Sequence, residues 1–173
     1  MSVEDLKAKI RDVPDFPQPG IVFKDIMPLL ADPVTLRETV DLLTAWIEPR
    51  KPDVIVGAEA RGFILGAAIA SKLDVGFVAA RRPGKLPWKT VSATYALEYG
   101  ENTLELHADA LTQGERVVVH DDLLATGGTA KAICDLAEQL GGEIVGVAFV
   151  IELAFLEGRR HLENYDVHSL ITY

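Results

Sequence analysis

Apolar residues recur along the chain first at helical and then at strand spacing. Leu36, Val40, Leu43 and Ile47 fall on one helical stripe. Asp32-Pro33 precedes them, an N-cap followed by proline at the first helical position. Ser2-Val3-Glu4-Asp5 has the form of a capping box, opening a short helix with Leu6 and Ile10 on one face. Between these two helices, Pro14-Asp15-Phe16-Pro17-Gln18-Pro19-Gly20 is too proline-rich for a helix or a central strand. It runs into Ile21-Val22-Phe23-Lys24-Asp25-Ile26. After Asp53, short apolar runs predict strands over 54–56, 76–80, 117–120 and 143–153, with a last edge strand over 167–173. Helices are predicted over 63–72 and 130–140, the second stopped by Gly141-Gly142. The runs 95–99 and 103–107 flank Gly100-Glu101-Asn102 and predict a hairpin, with Leu104 and Leu106 alternating. Strands alternating with helices predict an α/β fold: a mainly parallel sheet flanked by helices on both faces, in one domain over 1–173. There is no internal repeat and no low-complexity tract.

Composition narrows the class. With 173 residues, 49% apolar and 25% charged, the chain suits one globular domain. No apolar run approaches the roughly 18 residues of a membrane span. The start, Met1-Ser2-Val3-Glu4-Asp5, has neither the basic nor the apolar part of a signal peptide. The single cysteine, Cys134, allows no intramolecular disulfide. The expectation is a cytoplasmic protein without membrane contact. A net charge of −9 argues against nucleic acid as a partner. Positive charge is nevertheless gathered locally, with Arg81, Arg82, Lys85 and Lys89 inside nine residues directly after a predicted strand.

Chemistry concentrates in 117–129. Val117-Val118-Val119-His120 leads to Asp121-Asp122, and Thr126-Gly127-Gly128-Thr129 then opens a helix. Small residues at a helix N-terminus expose backbone N–H groups to a phosphate, whose charge the helix dipole favours. Two carboxylates cannot bind that phosphate, but they accept hydrogen bonds from vicinal hydroxyls. Together they predict a site for a phosphorylated ribose. Such loops lie at the carboxyl ends of parallel strands, where Ala58-Glu59-Ala60-Arg61-Gly62 and the basic segment from Arg81 to Lys89 also fall. An arginine and a basic cluster beside a phosphate nest suggest a second, more highly charged phosphate group.

Commoner nucleotide fingerprints are absent. No two glycines are separated by one residue, which removes Gly-x-Gly-x-x-Gly. Gly57 and Gly62 have Walker A spacing, but Phe63-Ile64 follow in place of Lys-Ser/Thr. His107, His120, His161 and His168 show no ligand spacing and read as surface or strand-edge residues. His120 reads as a strand-end substitution, and Trp88 as a packing residue at a protomer contact.

A ribose carrying a 5′-phosphate, vicinal hydroxyls and a separate polyphosphate is 5-phosphoribosyl 1-diphosphate. On these residues the chain resembles the type I phosphoribosyltransferases, and Asp-Asp-Leu-Leu-Ala-Thr-Gly-Gly-Thr resembles their adenine branch. The likeness extends to 14–26, to Glu59-Ala60-Arg61-Gly62-Phe63, to Arg82-Pro83-Gly84-Lys85-Leu86-Pro87, to Tyr95-Ala96-Leu97-Glu98-Tyr99-Gly100 and to Glu152-Leu153. It implies that family's fold, with an N-terminal hood over about 1–35 and a flexible catalytic loop over about 82–102.

The resemblance also implies roles. Asp121 and Asp122 would hold the ribose hydroxyls, and Ala125, Thr126, Gly127, Gly128 and Thr129 the 5′-phosphate. Glu59, Ala60, Arg61, Arg81 and Lys85 match diphosphate positions, the Glu59–Ala60 bond being a non-proline cis peptide in many relatives. Backbone groups of Val22 and Lys24 would read adenine while Phe23 stacks on it. Glu98 matches the general acid/base. Mg²⁺ is the implied cofactor, bound through the substrate's diphosphate with no direct protein ligand. The implied reaction joins adenine to phosphoribosyl diphosphate, in a homodimer that shares basic residues between protomers. A xanthine- or hypoxanthine-using transferase, a non-catalytic phosphoribosyl-diphosphate sensor and a flavodoxin-like interaction domain are the rival readings. The hood and the Leu97-Glu98-Tyr99-Gly100 segment count against the first. The acidic charge and lack of length for a DNA-binding domain count against the second, and the joint occurrence of the three site features against the third.

Overall fold

The computed structural model describes residues 2–96 and 100–173 and divides into two compact units, up to and after Leu42. In the first unit, α1 (Val3–Lys7) starts from the predicted capping box, with Ser2 and Asp5 each binding the other's backbone. Strands β1 (Arg11–Pro14) and β2 (Val22–Asp25) pair antiparallel, with Asp12 opposite Lys24. The sequence pattern misses β1 because Pro14 ends it, a residue tolerated only at the margin of a sheet. After α2 (Met27–Ala31), Asp32 Oδ1 accepts from the Val34 N–H at 2.9 Å at the head of α3 (Pro33–Ile47). The unit boundary falls inside α3.

The second unit is built on a five-stranded parallel sheet in the order β4-β3-β7-β8-β9. These strands are β3 (Val54–Ala58), β4 (Gly76–Ala80), β7 (Arg116–Leu124), β8 (Glu143–Glu152) and β9 (Val167–Thr172). Strand alternation assigns the two faces. Val54, Val56, Val117 and Val119 join Ile133, Cys134 and Leu136 of α5 (Gly128–Gln139) in one core cluster. On the opposite face lie Gly57, Phe77 and His120, against Gly62 and Gly66 of α4 (Arg61–Leu73). A Cβ at Gly66 would stand 2.9 Å from the Phe77 ring, and one at Gly62 would stand 3.1 Å from the His120 carbonyl. Bare backbone at i and i+4 thus lets α4 lie directly on the sheet.

The antiparallel pair β5 (Thr90–Ala96) and β6 (Glu101–His107) forms a separate two-stranded ribbon. Its first arm begins five residues before the predicted start at Tyr95, and 97–99 fall outside the described residues. Among the described residues, no helix is long and apolar enough to cross a membrane.

Candidate active site

β7 does not stop before the acidic pair. It continues through Asp121, opposite Phe149 of β8, to Leu124, opposite Glu152. The parallel ladder therefore fixes the backbone of both carboxylates. The Asp122 N–H donates to Asp121 Oδ1 at 2.8 Å. Asp122 is buried and accepts from Arg61 Nε. Arg61 is the first residue of α4 and directly follows a cis Glu59–Ala60 peptide bond. Gly62 permits this approach, since a Cβ there would come within 3.0 Å of Asp121 Oδ1. Loss of water and the adjacent Asp122 charge push the Asp121 carboxyl well above the usual carboxylate range.

A cavity of about 310 Å³ opens at this strand end. Its wall includes Glu59, Ala60, Arg61, Asp121, Asp122 and Thr129, joined by Arg82, Tyr95, Asn102 and Thr103. Beside it, the 123–127 turn encloses a hollow of about 70 Å³. Gly127 takes φ +88° as the cap of α5, a conformation that favours glycine. The turn is packed from behind. A Cβ at Gly127 would meet the Gly158 carbonyl at 2.3 Å, and one at Gly158 would meet the Ala125 carbonyl at 2.3 Å. Arg159 next to it grips Glu152 through two 2.7 Å bonds and the Val167 carbonyl at 2.9 Å. That pairing holds the Glu152 carboxyl below its ordinary range.

Arg81 gives its guanidinium to Glu59, at 2.9 and 3.3 Å. Glu59 also accepts the Arg82 N–H at 3.0 Å, and its carboxyl is held low mainly by Arg81. Lys85 is exposed, and the cavity wall includes Arg82 rather than Arg81 or Lys85. Val22, Phe23 and Lys24 belong to the first unit. Phe23 packs edge-on to Phe16 at 5.2 Å, and Lys24 Nζ pairs with Asp12 at 2.6 Å. Glu98 lies outside the described residues.

Sequence reasoning missed Tyr95, Asn102 and Thr103 on the cavity wall and Gly158 behind the turn. Tyr95 alternates correctly for an inward strand position. Gly158 offered only a glycine before two arginines.

One histidine reading is corrected. His120 is no surface or strand-edge residue, since its side chain is fully buried under α4. Nδ1 lies 3.0 Å from the Ala148 carbonyl, while Nε2 has no partner among the described residues. Burial lowers its pKa to about 4. A histidine at a buried strand position reads like any polar strand end, because nothing local reveals what will cover it. Trp88 is largely exposed.

Comparison with known proteins bears on this arrangement. Residues 34–171 match the phosphoribosyl transferase domain model. An adenine phosphoribosyltransferase of Koribacter versatilis is 55% identical over 170 residues, covering 98% of this chain and 93% of that protein. One from Thermotoga maritima is 54% identical, with 98% of each covered. The chain belongs to the adenine phosphoribosyltransferase family. Solved members superpose closely. The Thermoanaerobacter pseudethanolicus enzyme is 50% identical with a TM-score of 0.97, covering 99% of this chain and all of that one. The Saccharomyces cerevisiae enzyme, solved with an imino-altritol bisphosphate and adenine, is 40% identical with a TM-score of 0.93 and 97% of each chain covered. The mainly parallel sheet flanked by helices is the type I phosphoribosyltransferase fold.

Proposed function

We propose that the chain transfers the 5-phosphoribosyl group of phosphoribosyl diphosphate to a ring nitrogen of adenine, releasing diphosphate and forming AMP. The observation that carries this reading is the convergence of Asp121, Asp122, Arg61 and the Thr129 end of the glycine turn on one cavity. In this reading Asp121 and Asp122 accept the ribose hydroxyls. Backbone N–H groups from Ala125 to Thr129, with the Thr126 and Thr129 hydroxyls, receive the 5′-phosphate. Asp122 exchanges part of its bond to Arg61 for the sugar, which turns the Arg61 guanidinium toward the leaving diphosphate. Arg82 faces the same cavity, and Arg81 and Lys85 add charge in the following segment. Glu59 holds Arg81 and Arg82 in place.

Charge separates in the transition state, positive on the ribose ring and negative on the departing diphosphate. Fixed cations opposite the leaving group stabilise it more than the ground state. The oxygen-rich wall suits a hard cation, and Glu59 and Asp122 are already engaged by arginines. Mg²⁺ would therefore ride on the substrate's diphosphate and hydroxyl oxygens. When bound there, it neutralises the leaving group's charge.

Adenine selectivity is assigned to Val22 and Lys24, which lie two apart on β2 and turn their backbone groups to the same edge. A carbonyl and an N–H match adenine's amino group and ring nitrogen. An oxo group at that position would set acceptor against acceptor. Phe23 supplies the stacking face, and Glu98 exchanges the proton at the imidazole part of the base. A cytoplasmic homodimer, with basic residues crossing between protomers, completes the proposal.

The test is a base panel with Mg²⁺ and phosphoribosyl diphosphate. Diphosphate should be released rapidly with adenine and at least about a hundredfold more slowly with hypoxanthine, guanine or xanthine. Comparable rates with an oxopurine overturn the selectivity; no release with any base overturns the reaction.

A further inference from the structure

Tyr95 lies on β5, outside the glycine turn and its helix, yet its hydroxyl is 2.8 Å from Thr129 Oγ1. Its ring also covers the head of α5, where a Cβ on Gly128 would stand 2.9 Å from Tyr95 Cδ2. We infer that Tyr95 is a positioning residue for the substrate's 5′-phosphate, donating its hydroxyl proton to Thr129 and so directing Thr129's own proton at the phosphate. The inference rests on the proposed reading of Ala125 to Thr129 as the 5′-phosphate turn.

Donor supply decides the direction of the Tyr95–Thr129 bond. A threonine hydroxyl has one proton and two lone pairs, and an ionised phosphate only accepts. In the free protein either hydroxyl of the pair serves as donor. Once a phosphate claims the Thr129 proton, the contact with Tyr95 persists only with Tyr95 donating. The pair then becomes a directed chain from Tyr95 to Thr129 to phosphate, each bond polarising the next. Without the phenol, Thr129 loses the partner that fixes its rotor. The same chain ties occupation of the turn to the setting of β5, which precedes Glu98 by three residues at Tyr95. Substrate phosphate thereby acts on the ribbon as well as on its own turn.

Three variants test this: Tyr95→Phe, Thr129→Val and the double. Phenylalanine keeps the ring over Gly128, so the fold survives the loss of the hydroxyl. Tyr95→Phe should raise KM for phosphoribosyl diphosphate about three- to tenfold, with KM for adenine changed less than twofold. The double variant should be no worse than Thr129→Val alone, because both remove links of one chain. Ribose 5-phosphate should slow amide hydrogen exchange in β5 of the parent protein and fail to do so in Tyr95→Phe. An unchanged KM in Tyr95→Phe, fully additive effects in the double variant, or equal exchange protection overturns the inference. If Thr129→Val also leaves KM for phosphoribosyl diphosphate unchanged, the phosphate-turn reading itself fails and takes the inference with it.

Discussion

Beyond His120, where its pairing with β3 ends, β7 is paired with β8, and Gly62 and Gly158 approach its carboxyl end and the turn after it through glycine backbone. β2 pairs with one four-residue strand and leaves Val22 about half exposed. The two segments carry the two halves of the proposed chemistry, sugar phosphate and base. Their construction implies different tolerances. A change at Gly62 or Gly158 disturbs both packing and ligand geometry, because an added Cβ would meet Asp121 or the Ala125 carbonyl. On β2 the reading is assigned to backbone, so side chains are replaceable unless they supply the stacking face.

The largest expected effect lies at the β7 end. Asp122→Asn replaces an acceptor-only carboxylate and removes the charge that Arg61 Nε meets. Two charge-assisted bonds at about 1.5–3 kcal/mol each set the scale, and kcat/KM for phosphoribosyl diphosphate should fall about 10²-fold or more in steady-state assays. A loss under tenfold would mean that the pair is structural only.

Next in size is a pH effect on stability. His120 titrates near 4 when folded against 6.5 as its ordinary value. Between these values the unfolded chain binds a proton that the folded chain does not. The His120 contribution is therefore fully favourable above about pH 6.5 and is lost as pH falls toward 4. The loss is on the order of 3 kcal/mol. Urea melts at pH 7 and pH 4.5 should show this drop in the parent, and a visibly smaller one in His120→Val. Equal slopes would refute the buried neutral imidazole.

Gly158→Ala should cost about 1–3 kcal/mol through overpacking against the Ala125 carbonyl. It should raise KM for phosphoribosyl diphosphate more than KM for adenine. The smallest effect belongs to β2: Lys24→Ala should change the adenine-to-hypoxanthine rate ratio less than about threefold, because only its backbone is assigned a role. A larger change would transfer selectivity to the side chain.

The same contrast governs what the sequence makes legible. The parallel core declares itself through Val117-Val118-Val119 and the runs at 54–56 and 76–80, since burial on both faces demands continuous apolar residues. The acidic pair and the glycine turn are equally visible, as they use residues that strands and helices otherwise avoid. The strand's continuation through Asp121 and Asp122 is hidden, because carboxylates disguise a ladder that β8 supplies. β1 is hidden by Pro14, and the early start of β5 by the weak alternation of Thr90-Val91-Ser92-Ala93-Thr94. Tyr95 on Thr129 and Gly158 on Ala125 join positions more than thirty residues apart. The burial of His120 depends likewise on a helix about fifty residues upstream. No local pattern encodes such meetings.

The central claim, that sugar and base are held by separately built segments, is tested most directly by a crossed kinetic measurement. Initial rates over a grid of both substrates should be collected for Asp122→Asn and for Phe23→Ala, with melting curves to establish that each variant is folded. Asp122→Asn should raise KM for phosphoribosyl diphosphate and leave KM for adenine within about twofold. Phe23→Ala should do the reverse, raising KM for adenine about tenfold through loss of one stacking face. Both substitutions moving the same KM, or Asp122→Asn moving chiefly that for adenine, would contradict the account.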